Sequence, residues 1–231
     1  MKKILHRVFS ISKAKHSGLR APKAQSMVEF AVALPVLLLL LLGMVEFGFM
    51  LNTYLSIQDA VRSTARRYST INPFNADGTD NLDYYSGAAQ NVVDLLAPPS
   101  DPGARQIIMD ATRDNILISL IEVKVNETAN PNTITSITRY PDGFSYFRFY
   151  SGPGATNPQT NFQNATIEAQ LTANGAEPTN AGLLIVEIYY SYEGALNTPI
   201  TTPFMSPTNP VTLYASAIMP ITYVKPLRDN P

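Results

Sequence analysis

There is no cysteine among the 231 residues, so disulfides, thiolate-ligated metals and a lipoprotein anchor are all excluded. Only two histidines occur, His6 and His16, and both lie in the N-terminal head. A chain trimmed of that head would lack the commonest general base and the best transition-metal ligands. Hydrolase and metalloenzyme readings therefore have little to build on, and no cofactor is expected. The first 24 residues also lack Asp and Glu, while carrying Lys2, Lys3, Arg7, Lys13, Lys15, Arg20 and Lys23. The whole chain has a formal charge of -1, which gives no pull toward nucleic acid or another polyanion.

The basic head leads into a long apolar run. From Phe30 to Leu51 the only charged residue is Glu46. At a helical rise of ~1.5 Å per residue such a run reaches ~33 Å, enough to cross a hydrocarbon core. A cleaved secretory signal has a shorter core and then a small-x-small site; here the run continues into GFMLNTYL, with no such site. The larger positive cluster precedes the run, and Arg62, Arg66 and Arg67 come after it. That asymmetry predicts a single-pass membrane protein with its N-terminus in the cytoplasm and its C-terminal domain outside. An uncleaved signal anchor explains the charge and the length, but not the two glutamates.

Glu29 stands just before the apolar run, where a carboxylate is costly once helices pack side by side. An α-amino group would compensate it. If the chain began at Gln25, Glu29 would be residue 5, one helical turn away and on the same face. This is the logic of type IV pilins, in which position 5 pairs with a neighbouring subunit's terminal amine. Glu46 lies 17 residues further on, about 260° around the helix, and so on a different face. It reads either as a snorkelling carboxylate or as a polar contact to a partner helix. Pro35 either kinks the helix or is simply tolerated in it.

The stretch AQSMVEFAVALPVLLLLLLGMVEFG resembles the start of the TadE-like family of Tad (Flp-type) pilus systems. Gln25, Val28, Glu29, Phe30, Ala31, Pro35, Glu46, Phe47 and Gly48 carry the resemblance, and Ala60, Arg62, Ala65 and Arg66 extend it. The motifs cover about 45 residues. Members usually have Gly before the processing point, where this chain has Ala24. The resemblance implies a minor pilin-like subunit of a Tad-type assembly or secretion system, related also to TadG-like proteins, and not an enzyme. It implies processing between Ala24 and Gln25 by a prepilin peptidase, and assembly contacts through Glu29, Phe30, Pro35 and Glu46. Its partners would be the lipid bilayer, other pilin-like subunits and Tad platform proteins. The alternative is an exported adhesin or binding module on a permanent anchor.

Beyond the lipid, Leu51, Tyr54, Leu55, Gln58, Val61, Ala65 and Tyr68 recur at helical spacing, and the stripe is expected to pack on the domain below. The helix should end before the turn-rich INPFNADG. Asp77, Asp80 and Asp83 surround Gly78, but their spacing is not that of an EF-hand and no Glu closes it; a solvated loop is expected. Residues 84–97 predict a short helix, and Asp101-Pro102 predicts another running to about Arg113. NILISLIEVKV reads as a strand with Leu117, Ile121, Val123 and Val125 on one face. Residues 133–140 and 144–150 suggest a hairpin. LLIVEIYYSYE is the clearest strand, with Leu184, Val186, Ile188, Tyr190 and Tyr192 facing one way. VTLYASAIM places Val211, Leu213, Ala215, Ala217 and Met219 together. The domain organisation expected is a leader over residues 1–24, a membrane helix with its extension over 25–68, and an outer domain over 69–231. The fold class is α+β: a long N-terminal transmembrane helix, then a domain dominated by antiparallel strands. The aromatics of YPDGFSYFRFYSGPG read as core or cross-strand pairs rather than a binding patch. No repeat, phosphate loop or catalytic constellation is visible.

Overall fold

The computed structural model describes residues 22–221, apart from residues 102, 104, 105, 197, 199 and 200. The basic leader up to residue 21 lies outside the described residues. Helix α1 (Pro22–Tyr68) opens the described residues. After it come α2 (Leu82–Leu96), β1 (Asn115–Asn126), β2 (Thr133–Tyr140), β3 (Phe147–Arg148), α3 (Asn164–Leu171), β4 (Ala181–Tyr192) and β5 (Val211–Pro220). The expected α+β architecture is present: a long apolar helix, then a domain with an antiparallel five-stranded sheet. The chain divides into two compact units inside α1, between Met44 and Val45.

The first unit contributes the apolar half of α1, whose large side chains from Met27 to Met44, Leu42 apart, are exposed. An unbroken run of Leu and Val with its backbone groups paired inside the helix suits lipid rather than a soluble core. This helix is long and apolar enough to cross a membrane.

The second unit is built on the sheet. Its strand order is β2-β1-β4-β5, with β3 also pairing β1. The register aligns Ile118 with Val186 and Leu120 with Leu184 across β1 and β4. It aligns Val186 with Ala217 and Ile188 with Ala215 across β4 and β5. Even-numbered residues of β1 and β4 therefore share a face with odd-numbered residues of β5, as strand alternation requires. That face packs on α1 and α2, in a core that joins Ile57, Ala60, Val61 and Ala65 to Tyr85, Ala88, Val92, Ile118, Val186 and Leu213. The opposite face is covered by α3, where Ile167 packs with Ile121, Val123 and Ile185. Strand β1 is thus buried on both faces, which explains its nearly continuous apolar run.

Helix α2 begins at Asn81, whose side chain accepts a hydrogen bond from Asp83 N–H, a standard N-terminal cap. It packs closely on α1. A Cβ at Gly87 would come within 3.0 Å of the Tyr68 hydroxyl. Thr64 donates to Asn91 at 3.1 Å, and the Tyr84 hydroxyl donates to the Tyr68 carbonyl at 2.9 Å.

Several sequence expectations need correction. The helix expected over 101–113 is not formed in its described residues, of which 106–110 are irregular and 111–113 form a turn. Local capping wins over helix propensity: Asp110 caps the Thr112 N–H, and Asp114 accepts from the Asp110 N–H. Residues 133–140 and 144–150 do not pair as a hairpin. Strands β2 and β3 lie end to end along the same edge of β1, so they act as one strand interrupted by residues 141–146. The stripe on α1 packs on the domain as expected at Val61 and Ala65, with Tyr54 and Tyr68 against the core, but its centre is shifted. Ile57, Ala60, Val61 and Ala65 are buried, while Leu51 and Leu55 are about half exposed. Consequently the core of the outer domain reaches back well before residue 69, into the helix.

Candidate functional site

The N-terminal part of α1 carries the first group of candidate residues. Ala24 and Gln25 both lie within the helix, close to its start at Pro22. Gln25 Nε2 donates to Glu29 Oε1 at 3.0 Å, so the i, i+4 geometry puts residue 25 directly over the carboxylate. Glu29 is exposed, as is Phe30. Val28, Glu29, Val32, Ala33, Val36 and Leu37 line one shallow groove on the helix surface. Pro35 is in the helix interior and has no N–H to offer the Ala31 carbonyl. This end of α1 is an apolar rod bearing one carboxylate at its beginning.

Glu46 belongs to a different environment. It is 1% exposed. Its Oε1 accepts hydrogen bonds from the Tyr192 hydroxyl at 2.8 Å and the Ala195 N–H at 2.7 Å. Its Oε2 accepts from the Leu196 N–H at 2.8 Å. Gly194 makes the two successive N–H groups available: it has φ +88°, and a Cβ there would lie 3.4 Å from Glu46 Oε1 and 3.3 Å from the Met205 carbonyl. Charge-assisted bonds of this kind are among the stronger protein hydrogen bonds. The sequence left Glu46 as either a snorkelling carboxylate or a contact to a partner helix. Instead its own domain takes it up, because β4 and the turn after it supply three donors that no reading of the helix alone could reveal.

Three more buried acids, Asp114, Glu122 and Glu187, went unassigned in the sequence. Glu187, on β4, is fully buried. It accepts from the Thr160 hydroxyl, the Asn161 N–H and the Tyr214 hydroxyl. Asp114 accepts from the N–H groups of Asp110 and Ser191, both at 2.7 Å, and burial raises its carboxyl above the usual range. An acid within a strongly apolar strand, as at Glu187, is the one signal that could have marked such a site.

Asp77 caps its own turn through the Thr79 N–H and hydroxyl. Asp80 accepts from the Asp142 N–H and the Tyr85 hydroxyl. Among the described residues, no three His, Asp or Glu side chains group as metal ligands. The aromatic stretch divides between roles. Tyr140, Phe147 and Phe149 join the core, whereas Phe144 is exposed and helps line an open groove of about 540 Å³ with Leu82, Pro141 and Tyr146.

Residues 24–66 match the family model of TadE-like proteins. The match takes in Gln25, Glu29, Pro35 and Glu46, and it runs into the part of α1 that packs on the sheet. No curated protein and no solved structure gives a match.

Proposed function

We propose that the chain is a minor pilin-like subunit of a Tad-type pilus assembly or secretion system, anchored in the inner membrane by α1. The TadE-like match over residues 24–66 ties it to that system in general, and the one long apolar helix among the described residues fits a single-pass membrane protein. The observation that carries the finer reading is Glu29: an exposed carboxylate one helical turn after Gln25, on an otherwise apolar rod. Prepilin peptidase would remove the basic leader between Ala24 and Gln25. The new terminal amine, with a reference pKa of ~7.7–8.0, stays partly positive near neutral pH. It would pair with Glu29 of an adjacent pilin-like subunit, while Phe30 and Pro35 shape the neighbouring helix surface. The outer domain then faces away from the cytoplasm and meets platform or tip components. The role is structural, with no chemistry assigned to the domain.

Intact mass of the protein extracted from membranes tests the processing step. Loss of residues 1–24 is expected in cells with an active peptidase; a full-length mass there favours the permanent anchor. Co-purification tests the assembly step. Removing one partner of a buried charge pair costs ~3–5 kcal/mol, so Glu29→Ala should stay in the membrane yet lose its pilus partners. Normal co-purification of Glu29→Ala would overturn the assembly role.

A further inference from the structure

Helices α1 and α2 pack together, yet the charges on their outer faces are sorted by sign and left unpaired. From Ala60 to Tyr68 the chain has Arg62, Arg66 and Arg67 and no acid; from Ser69 to Gly103 it has five Asp and no Lys or Arg. Both stretches belong to the outer compact unit. On α1, Leu55, Arg62 and Arg66 form an exposed stripe at i, i+7 and i+11, interrupted by Asp59. On α2, Asp83, Gln90 and Asp94 form an exposed stripe of the same spacing, with exposed Leu95 beside it. Among the described residues the ion pairs are those of Arg113 with Asp110 and Glu193 and of Lys124 with Glu122. Neither helix takes part in one.

Helix dipoles explain some of this. Arg66 and Arg67 lie in the last turn of α1, and Asp83 lies in the first turn of α2, where each sign is favoured. They do not explain Arg62, which repels Arg66 one turn away. Nor do they explain Asp94. It stands in the last turn of α2, where no basic residue is present, and a carboxylate at that negative end is disfavoured. Its partner among the described residues is the neutral Gln90 amide, at 2.8 Å. Each stripe therefore carries an excess of one sign that the described fold does not compensate, and each supplies what the other lacks.

We propose that the outer domain is self-complementary: the Arg62 and Arg66 stripe of one copy docks on the Asp83–Gln90–Asp94 stripe of a second copy. A second copy is the occupant because one chain carries both halves of the match, opposite in sign and equal in spacing. The arginines give Asp94 the cations that the end of α2 lacks, and Leu55 and Leu95 add apolar contact at the margins. The two surfaces differ, so the contact is heterologous. Complementary charge of this kind sets register and partner choice more than raw affinity. The inference extends the reading of the chain as an assembly subunit to its outer domain, but it needs neither processing at Ala24 nor the Glu29 contact.

Charge exchange between two tagged copies tests it. Full-length chains bearing different tags are co-expressed and purified together in non-ionic detergent, at low and at high salt. The variants are Arg62→Glu/Arg66→Glu and Gln90→Arg/Asp94→Arg, all at exposed positions, with circular dichroism to confirm the fold. Wild-type copies should capture each other at low salt and several-fold less at high salt, where surface charge is screened. Each double variant should capture itself several-fold less than wild type does, and a mixture of the two variants should restore capture. Wild-type-like self-capture by either variant overturns the proposal, as does a mixture of folded variants that fails to restore it. If wild-type copies stay apart while the arginine stripe binds phosphatidylglycerol vesicles, the occupant is lipid and the proposal is overturned. Glu29→Ala is run in parallel. Capture lost there with both stripes intact places the contact in the apolar part of α1, so that this inference fails and the Glu29 contact stands. Capture that survives Glu29→Ala but not the stripe variants supports the inference whatever the fate of Glu29.

Discussion

A carboxylate buried with three donors is held in place by what it binds, and Glu46 illustrates the consequence. The Tyr192 hydroxyl and the Ala195 and Leu196 N–H groups all point at it. A glutamine would set an amide NH2 against at least one of those N–H groups, and an alanine would leave all three donors without their acceptor. Each buried donor left unsatisfied costs about 1–3 kcal/mol. Glu46→Ala is therefore expected to lower the melting temperature of the detergent-solubilised protein by roughly 5 °C or more, given about 2–4 °C per kcal/mol for a domain of this size. Glu46→Gln should fall between Ala and wild type, and Tyr192→Phe should lose about 1 kcal/mol. Unchanged melting of Glu46→Ala would show that the clasp is not formed in the membrane protein. Glu187 extends the same logic to β4: Glu187→Ala leaves Thr160, Asn161 and Tyr214 without their acceptor, and thermal unfolding should report a loss of about 1–3 kcal/mol for each donor that water cannot reach.

Helix α1 serves two environments along its length. Up to Met44 it is an exposed apolar rod; from Val45 it belongs to the outer compact unit. Ile57, Val61 and Ala65 are completely buried against α2 and the sheet. A fragment starting at Ser69 is consequently expected to lack cooperative unfolding, whereas one starting near Met50 should restore it, as circular dichroism melts will show. In a full-length background, Ile57→Ala should cost about 2–5 kcal/mol. Equal stability of the two fragments would mean that the helix merely lies on a self-sufficient domain. Strands β4 and β5 were legible in the sequence because the positions facing the helices, Leu184, Val186 and Ile188 on β4 and Leu213, Ala215 and Ala217 on β5, are apolar at every second residue. Strand β1 was legible as a strand: of its expected face, Leu117 is buried and Ile121, Val123 and Val125 pack together under α3. The edge formed by β2 and β3 was not: two short segments with turn residues between them look like a hairpin, and only their shared pairing to β1 reveals one interrupted strand. The 101–113 segment misled because Asp-Pro is a helix-start signal with no knowledge of Asp114, whose carboxylate takes up the Asp110 N–H and holds the chain irregular. Among the candidate residues, Glu29 stands out in the sequence by its place before the apolar run, and its assembly role is a proposal. The partners of Glu46 could not be read, since they lie about 150 residues away in sequence.

Across the outer domain, tyrosines take over where cysteine, histidine and charge are scarce. Tyr84, Tyr85 and Tyr140 are buried and adjoin one another, Phe74 or Phe147 in ring pairs of 5.2–6.0 Å. Burial raises the phenols of all three above their usual range, and nearby carboxylates at Asp80 and Glu122 add to this for Tyr85 and Tyr140. Burial also pushes Tyr214 up to about 12. A group whose folded pKa lies above its unfolded value binds more protons in the folded state within that interval. Its contribution to stability is then complete below the unfolded value, near 10 for tyrosine, and is lost as pH rises beyond it. The domain should therefore show little tyrosine-linked loss of stability up to about pH 10 and a steep loss above it. Absorbance at the phenolate band, recorded alongside circular dichroism, checks this. Exposed tyrosines should ionise first with the fold intact, and the buried set should ionise only together with unfolding. Tyr85→Phe tests the assignment: it removes a buried phenol whose hydroxyl bonds only weakly to Asp80, at 3.3 Å, so it should shrink the late phenolate step and move alkaline unfolding to higher pH. If the buried set instead titrates smoothly near pH 10 with no change in circular dichroism, the aromatic core between α2 and the sheet is open to water.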